Sequence, residues 1–356
     1  MADVDRALTI PPSPAAPEQP LLRVRGLTKL FPFRRRGLFR GSGGMVRAVE
    51  DVSFELWPGE TLGLVGESGA GKTTVARCIL RALAPTAGEV WFRNDGRMVD
   101  LVQLSARALK PLRPAMQLIF QDPYSSLNPR MTVGQIVGEP LVIHRLARGS
   151  ELDDRVADML VRIGLKPEHR TRYPQAFSGG QRQRIGIARA LIMRPSLVVA
   201  DEAVSALDVS MQAQVLNLLK DLQQEFALTY VFVAHNLDVV RYLCTRVAVM
   251  YAGRIVELAD TAALFAGPHH PFTQALHAAV PRADPNWRMA FGLAGEAADP
   301  SRLPSGCAFH PRCPKCFAPC TSIRPELQPA PGARPGRADE HRVACHLYGP
   351  ATPGPG

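Results

Sequence analysis

Gly66-Glu67-Ser68-Gly69-Ala70-Gly71-Lys72-Thr73 is the stretch that decides how the rest of the chain is read. Its spacing is G-x-x-x-x-G-K-[ST], the pattern of a loop that wraps nucleotide phosphates. Glycines let successive backbone N–H groups turn inward, and a following helix adds its positive N-terminal end. Lys72 is placed to neutralise the β- and γ-phosphates, and the Thr73 hydroxyl to ligate Mg²⁺. The flanks supply the context that such a loop requires. Thr61 to Val65 is a short apolar strand, and Val75, Cys78, Ile79, Ala82 and Leu83 fall on one face of a helix that takes in Thr74.

Working outward, Met116 to Phe120, Ser196 to Ala200 and Leu228 to Ala234 are short apolar runs without polar alternation. Such runs are expected of strands buried on both faces of a parallel sheet. Leu22 to Leu27 and Ala48 to Trp57 read as earlier strands, and Arg246 to Leu258 as two strands turning at Ala252-Gly253. Between them, Arg130 to Arg194 reads as mostly helical. Leu152, Val156, Met159, Leu160 and Ile163 form one apolar stripe that Gly164 stops, and Val215, Leu218, Leu219, Leu222 and Phe226 mark a crossover helix.

The run ending at Ala200 is followed by Asp201-Glu202, two acids at the C-terminal end of a buried strand. Asp201 is placed to reach the Mg²⁺ through water, and Glu202 to polarise an attacking water. Two acids merely capping a strand end is the alternative, and an intact phosphate loop weighs against it.

Ser178-Gly179-Gly180-Gln181-Arg182-Gln183-Arg184 resembles the signature motif of ABC-type ATPases, and Leu21 to about Pro271 is similar to their nucleotide-binding domain. The resemblance implies an α/β fold: a parallel-sheet core with antiparallel N-terminal strands and a helical subdomain at about 130–195. It makes Gln121 the glutamine joining metal site and helical subdomain, His235 the switch histidine facing the γ-phosphate, and Phe31 the aromatic that stacks on adenine. ATP binding then falls to Phe31, Gly66, Glu67, Ser68, Gly69, Ala70, Gly71, Lys72, Thr73, Thr74, Gln121 and Asp201, with Mg²⁺ on Thr73, Gln121 and Asp201. Glu202, His235 and Gln121 carry catalysis. Ser178, Gly179, Gly180, Gln181 and Asp208 contact the ATP of a second subunit, because a helix N-terminus binds a γ-phosphate held on another P-loop. Asn236 stands where these domains usually carry Asp, with a modest effect expected on the orientation of His235.

Phe120-Gln121-Asp122-Pro123-Tyr124-Ser125-Ser126-Leu127-Asn128-Pro129-Arg130-Met131 and Asp201-Glu202-Ala203-Val204-Ser205-Ala206-Leu207-Asp208-Val209-Ser210 narrow the resemblance. Both look like the ATP-binding subunits of bacterial dipeptide/oligopeptide importers, a group that includes nickel and glutathione systems. That implies a second ATPase subunit, identical or different, two membrane permeases, a separate extracytoplasmic binding protein, and a peripheral place on the cytoplasmic face of the inner membrane. Tyr124 and Leu127 are candidates for the permease contact, or else they only shape the loop.

The tail carries Cys307, Cys313, Cys320 and Cys345, with gaps of five, six and twenty-four residues, and an extra Cys316. This spacing fits neither a paired zinc ribbon nor a ferredoxin run, and from the residues alone reads only as four thiolates on a metal. Gly306-Cys307, His310-Pro311-Arg312-Cys313-Pro314 and Val343-Ala344-Cys345-His346 resemble the importer tail whose four cysteines hold a [4Fe–4S] cluster. Zinc is the alternative, with His346 or His310 as substitute ligands. Cys78 and Cys244 read as buried small hydrophobes on helix faces.

The division expected is a disordered segment at 1–20, a nucleotide-binding domain at 21–270, a cysteine-bearing module at 271–348 and a flexible tail at 349–356. The formal charge of +10 and the run Arg34-Arg35-Arg36, with Arg40 and Arg47, raise a rival, a soluble ABC ATPase acting on nucleic acid. No interleaved aromatic stripe supports it, and a solvated loop accounts for the charges. A redox sensor built on the tail cysteines is a third reading. No apolar run reaches the roughly 20 residues that span a bilayer.

Overall fold

The computed structural model describes residues 19–33, 44–279, 295, 296, 298–333 and 341–349. The expected disordered segment up to residue 18, the basic residues Arg34, Arg35, Arg36 and Arg40, and the tail beyond residue 349 lie outside these.

Two sheets organise the chain. The smaller is antiparallel: β1 (Leu22–Phe33), β2 (Gly44–Leu56), β4 (Ala87–Asn94) and β5 (Arg97–Asp100), in the order β2-β1-β4-β5. The larger contains β3 (Thr61–Val65), β6 (Met116–Ile119), β7 (Leu197–Asp201), β8 (Thr229–Ala234), β9 (Arg246–Tyr251), β10 (Arg254–Asp260), β11 (Gln328–Pro329) and β12 (Arg342–Val343). Its order is β11-β12-β10-β9-β3-β8-β7-β6, parallel from β9 through β3 and β8 to β6 and antiparallel from β9 outward to β11.

The apolar runs become central strands because both faces are covered, one by helices and the other by the helix Lys72–Ile79 together with the small sheet. Every residue of β3, β7, β8 and β9 is buried. Strands in that position have no wet face, so alternation is absent. The two sheets share a core of their own, with Leu22, Leu27, Leu56 and Phe92 of the small sheet against Leu62, Leu64 and Val231 of the large one. The β9–β10 hairpin turns where expected, through Ala252 (φ 46°) and Gly253 (φ 83°), the left-handed pair that a two-residue hairpin needs.

Three helices, Val133–Ile143, Gly149–Arg162 and Gly179–Leu191, make the expected helical subdomain between β6 and β7. Val156, Met159, Leu160 and Ile163 of the predicted stripe are buried, and Gly164 ends the helix in a left-handed conformation at φ 71°. The predicted crossover helix is Val209–Phe226.

Two readings need correction. β1 does not stop at Leu27. Register shifts against β2 between Val24 and Leu30 let it pass Gly26 and continue to Phe33, so Phe31 sits on the strand itself. Cys244 lies one residue beyond the helix Leu237–Leu243, though it is buried, as is Cys78 on Lys72–Ile79. Burial pushes the Cys78 thiol up to about 11 and the Cys244 thiol up as well, which leaves both inert at neutral pH.

The tail is tied into the large sheet. Val343 pairs with Glu257, and Arg342 with Leu258. Phe309, 1% exposed, packs edge-on against Tyr251 and Phe272 within the main core.

Candidate functional site

The loop after β3 is held from behind by backbone, which explains its glycines. A Cβ on Gly66 (φ 156°) would lie 2.2 Å from the Met250 carbonyl oxygen, and one on Gly71 (φ 96°) 2.2 Å from that of Ala48. Only a residue without Cβ fits either place. Gly71 precedes the helix Lys72–Ile79, and the Gly253 N–H bonds the Ala70 carbonyl at 3.1 Å. The β9–β10 turn therefore backs the loop directly.

Lys72 is buried. Its ammonium donates to the carbonyls of Gly66 at 2.8 Å and Glu67 at 2.9 Å, so it lies along the loop. Burial lowers its pKa, opposed by the charges of Glu202, Asp201 and Glu67. Thr73 donates its hydroxyl to Asp201 Oδ1 at 2.8 Å. Burial raises the Asp201 pKa, while Thr73, Arg77 and Lys72 act to lower it. A hydroxyl and a carboxylate from positions 73 and 201 thus meet at the mouth of the loop, beside the N-terminus of its helix.

Glu202 takes φ 49°, a left-handed conformation uncommon for a non-glycine residue, in the turn that leaves β7. Its N–H bonds the Val233 carbonyl at 3.0 Å, which ties that turn to β8. Gln121 Nε2 donates to Glu202 Oε2 at 2.8 Å, and His235 Nδ1 lies 3.6 Å from the same oxygen. Residues 121, 202 and 235 follow β6, β7 and β8, three neighbouring strands of one parallel sheet. Ligands gather at the carboxyl ends of such strands. Asn236 caps the helix Leu237–Leu243 by accepting the Asp238 N–H at 2.8 Å, a task that Asp would also perform. Phe31 is about one-third exposed, with the Lys29 ammonium 5.1 Å from its ring centroid.

The signature segment caps its own helix. Ser178 Oγ accepts the Gln181 N–H at 3.4 Å and Gln181 Oε1 accepts the Ser178 N–H at 3.1 Å, a reciprocal capping box on Gly179–Leu191. Gly180 is buried, and a Cβ there would fall 1.9 Å from Met211 Cε. Asp208 likewise caps Val209–Phe226 through the Met211 N–H at 2.9 Å. Ser178 and Asp208 are both exposed, and among the described residues no hydrogen bond joins Ser178, Gly179, Gly180 or Gln181 to the loop at 66–73.

Comparison with known proteins agrees with this geometry. A sequence profile described as "ABC transporter" matches residues 49–205, and one described as "Oligopeptide/dipeptide transporter, C-terminal region" matches residues 256–320. A protein of Sinorhizobium fredii, named a probable peptide ABC transporter ATP-binding protein, is 51% identical over 93% of this chain and 91% of its own length. The oligopeptide transport ATP-binding protein AppF of Bacillus subtilis is 47% identical over 94% of this chain and 99% of its own. The chain belongs to the ABC transporter ATP-binding proteins of the oligopeptide/dipeptide group.

As an ABC ATPase it also matches solved cassettes in fold. A dimeric cassette, MJ0796, in a post-hydrolysis state with ADP and Pi, superposes with a TM-score of 0.58 at 28% identity, covering 67% of this chain and 98% of the cassette. The glutathione import ATP-binding protein GsiA of Salmonella paratyphi A is 54% identical over 75% of this chain and 42% of its own length.

Of the two candidates for a permease contact in this ABC ATPase, Tyr124 is exposed, with the Arg182 guanidinium 4.3 Å over its ring. Leu127 is 3% exposed and belongs to the core, so it shapes the loop and offers no surface. In the tail, Cys307, Cys313, Cys320 and Cys345 line one small cavity with His270, His310 and His346. Burial pushes the Cys307 and Cys345 thiols up to about 11, and each of them feels the charges of Cys313 and Cys320. Cys316 is exposed and lines no part of that cavity.

Two features of the chain carried no local sequence signal. Glu257, fully buried on β10, accepts the His269 N–H at 2.7 Å, the His270 N–H at 2.9 Å and a bond with His341 Nε2 at 2.6 Å. Burial alone would raise its pKa, but these bonds, led by His341, hold it below the usual carboxylate range. The other is an ion pair between Arg312 and Glu67, 245 residues apart.

Proposed function

We propose that this ATPase powers the uptake of short peptides as a peripheral subunit on the cytoplasmic face of a bacterial inner membrane. It works with a second ATPase subunit and two permeases, and a separate binding protein delivers the solute. The observation that carries this is the split site. The loop, Asp201, Glu202, Gln121 and His235 converge, while the signature helix presents its exposed N-terminus elsewhere. One chain then holds half of each of two sites, and ATP closes two subunits over both.

Each residue has a task in that closure. Lys72 leaves the Gly66 and Glu67 carbonyls to meet the β- and γ-phosphates, and the loop N–H groups enclose them. Thr73, Asp201 and Gln121 are the groups that would hold Mg²⁺, which when bound supplies charge neutralisation to the phosphates. The hydroxyl–carboxylate pair of Thr73 and Asp201 fits such an ion. Glu202, oriented by Gln121, accepts a hydrogen bond from the attacking water, and His235 meets the γ-phosphate. Phe31 stacks on adenine. Ser178, Gly179, Gly180, Gln181 and Asp208 complete the site of the opposite subunit.

We also propose that Cys307, Cys313, Cys320 and Cys345 hold a [4Fe–4S] cluster in the module at 271–348. What supports this is that the four cysteines line one small cavity together. Four thiolates would leave such a cluster no open catalytic position, which favours a structural role over sensing. Anaerobic purification tests it: absorbance near 400 nm and about four irons per chain are expected. Colourless protein with stoichiometric zinc refutes it.

The transport reading is tested by reconstituting the subunit with its permeases and binding protein. ATPase activity stimulated by peptide-loaded binding protein, and lost in Ser178→Ala, is expected. The likeness to a glutathione importer supports a second cargo, and stimulation by glutathione but not peptides would favour it. Stimulation by DNA or RNA alone would refute both.

A further inference from the structure

The tail reaches the phosphate loop through one side chain. Arg312 Nη1 donates to Glu67 Oε2 at 2.8 Å, and Nη2 to Glu67 Oε1 at 3.0 Å. Nη1 also lies 3.4 Å from the Tyr251 hydroxyl. This two-point geometry is the strong form of an arginine–carboxylate contact. The arginine side chain is 7% exposed and that of Glu67 24%, so water screens the pair only in part.

Glu67 is an awkward residue for its place. It follows Gly66 directly in a loop whose ligand is a polyanion, and a bare carboxylate there repels the phosphates over short distances. It is also part of the loop's frame. Its carbonyl accepts both the Lys72 ammonium at 2.9 Å and the Ala70 N–H at 3.1 Å. Whatever holds its side chain therefore also holds the loop.

Arg312 is itself held. It ends the short helical turn His310–Arg312, between Phe309, buried against Tyr251 and Phe272, and Cys313 of the cysteine cavity. Tyr251 lies at the end of β9, just ahead of the turn that backs the loop.

We propose that Arg312 is a positioning residue for the nucleotide site: it cancels the Glu67 carboxylate and fixes the loop, so that ATP affinity depends on a correctly folded tail. The inference needs only the P-loop to bind ATP, and it stands apart from cargo and permease.

The test compares full-length wild type, R312Q, R312K, E67Q and E67Q/R312Q by equilibrium binding of a fluorescent ATP analogue at low and high salt. R312Q is expected to bind about tenfold more weakly, equivalent to about 1.4 kcal/mol. The defect should shrink at high salt, since it arises from charge. In steady state it should enter KM and leave kcat nearly unchanged. R312K should recover part of the affinity, and E67Q/R312Q most of it, because the unpaired carboxylate is gone. An arginine that merely folds the tail would give no rescue by E67Q. If R312Q does not fold, E67Q/R312Q is compared with E67Q, and equal affinities are expected. Wild-type affinity in R312Q, or a double variant as weak as R312Q, overturns the proposal. Cargo stimulation is read separately in the reconstituted transporter.

Discussion

Replacing Gly71 with alanine separates backbone strain from collision, because Gly69 in the same loop supplies the control. Both glycines are left-handed, at φ 96° and φ 80°. An L-residue in that region costs about 1–2 kcal/mol. At Gly69 a new Cβ would meet nothing within 4 Å, so Gly69→Ala should cost that and no more. At Gly71 the Cβ would fall 2.2 Å from the Ala48 carbonyl oxygen, and the first shell also holds the Gly253 Cα at 3.4 Å. Neither neighbour is a side chain that can swing aside. The loop or β2 must retreat by roughly an ångström, which adds about 1–3 kcal/mol by the scale of overpacked cores. Gly71→Ala should therefore lose about 2–5 kcal/mol in total. Urea unfolding of the two variants without nucleotide gives the difference, undisturbed by ligand contacts. ATP binding should fail in Gly71→Ala as well, because Lys72 and the helix N-terminus move with the loop. Equal unfolding midpoints for the two variants, with unequal φ excluded as the cause, would refute the reasoning.

Glu202→Gln keeps the shape of the side chain that meets Gln121 but removes its basicity; ATP binding should persist while phosphate release falls by about 10²–10⁴. Undiminished release would sink the role given to Glu202. Phe309→Ala empties a site that is 1% exposed, and should cost about 3–5 kcal/mol in denaturant melts. Glu50 meets Arg47, Arg254 and Arg324, and although burial acts to raise its pKa, Arg254 and Arg324 hold it below its ordinary 4.5. A lowered carboxylate pKa stabilises the fold above the ordinary value, and the gain is lost as pH falls through the folded value. The stability gap between wild type and Glu50→Gln should thus be full at pH 7 and close on acidification below about 4.5. A gap independent of pH would contradict that assignment.

Much of the ATP site was legible because its residues sit at punctuation. Strands buried on both faces print as unbroken apolar runs, and the functional groups follow directly at their ends, as Gln121, Glu202 and His235 do. The β4–β5 hairpin carried a strong signal in Asp95-Gly96 at its turn, but Trp91 between the buried Val90 and Phe92 blurs the polar alternation of its first strand. The polar Thr28-Lys29 in β1 hid the strand's continuation to Phe31, since the bulges near Gly26 break the period. For Leu127 both readings stand at the level of sequence, because a loop apolar residue looks the same whether it faces solvent or core, and its burial selects the second. Glu257 and the Arg312–Glu67 pair could not be read at all. The side-chain partners His341 and Arg312 are 84 and 245 residues away, and no local period encodes such a distance.

Among the described residues, the outermost strand of the large sheet, β11, is two residues long and ends in Pro329. Proline has no N–H to offer, so a further strand finds almost no ladder to extend. The sheet is thereby sealed on the side where the C-terminal segment joins it. Among the described residues, that border offers a second copy of this chain almost no ladder to pair along.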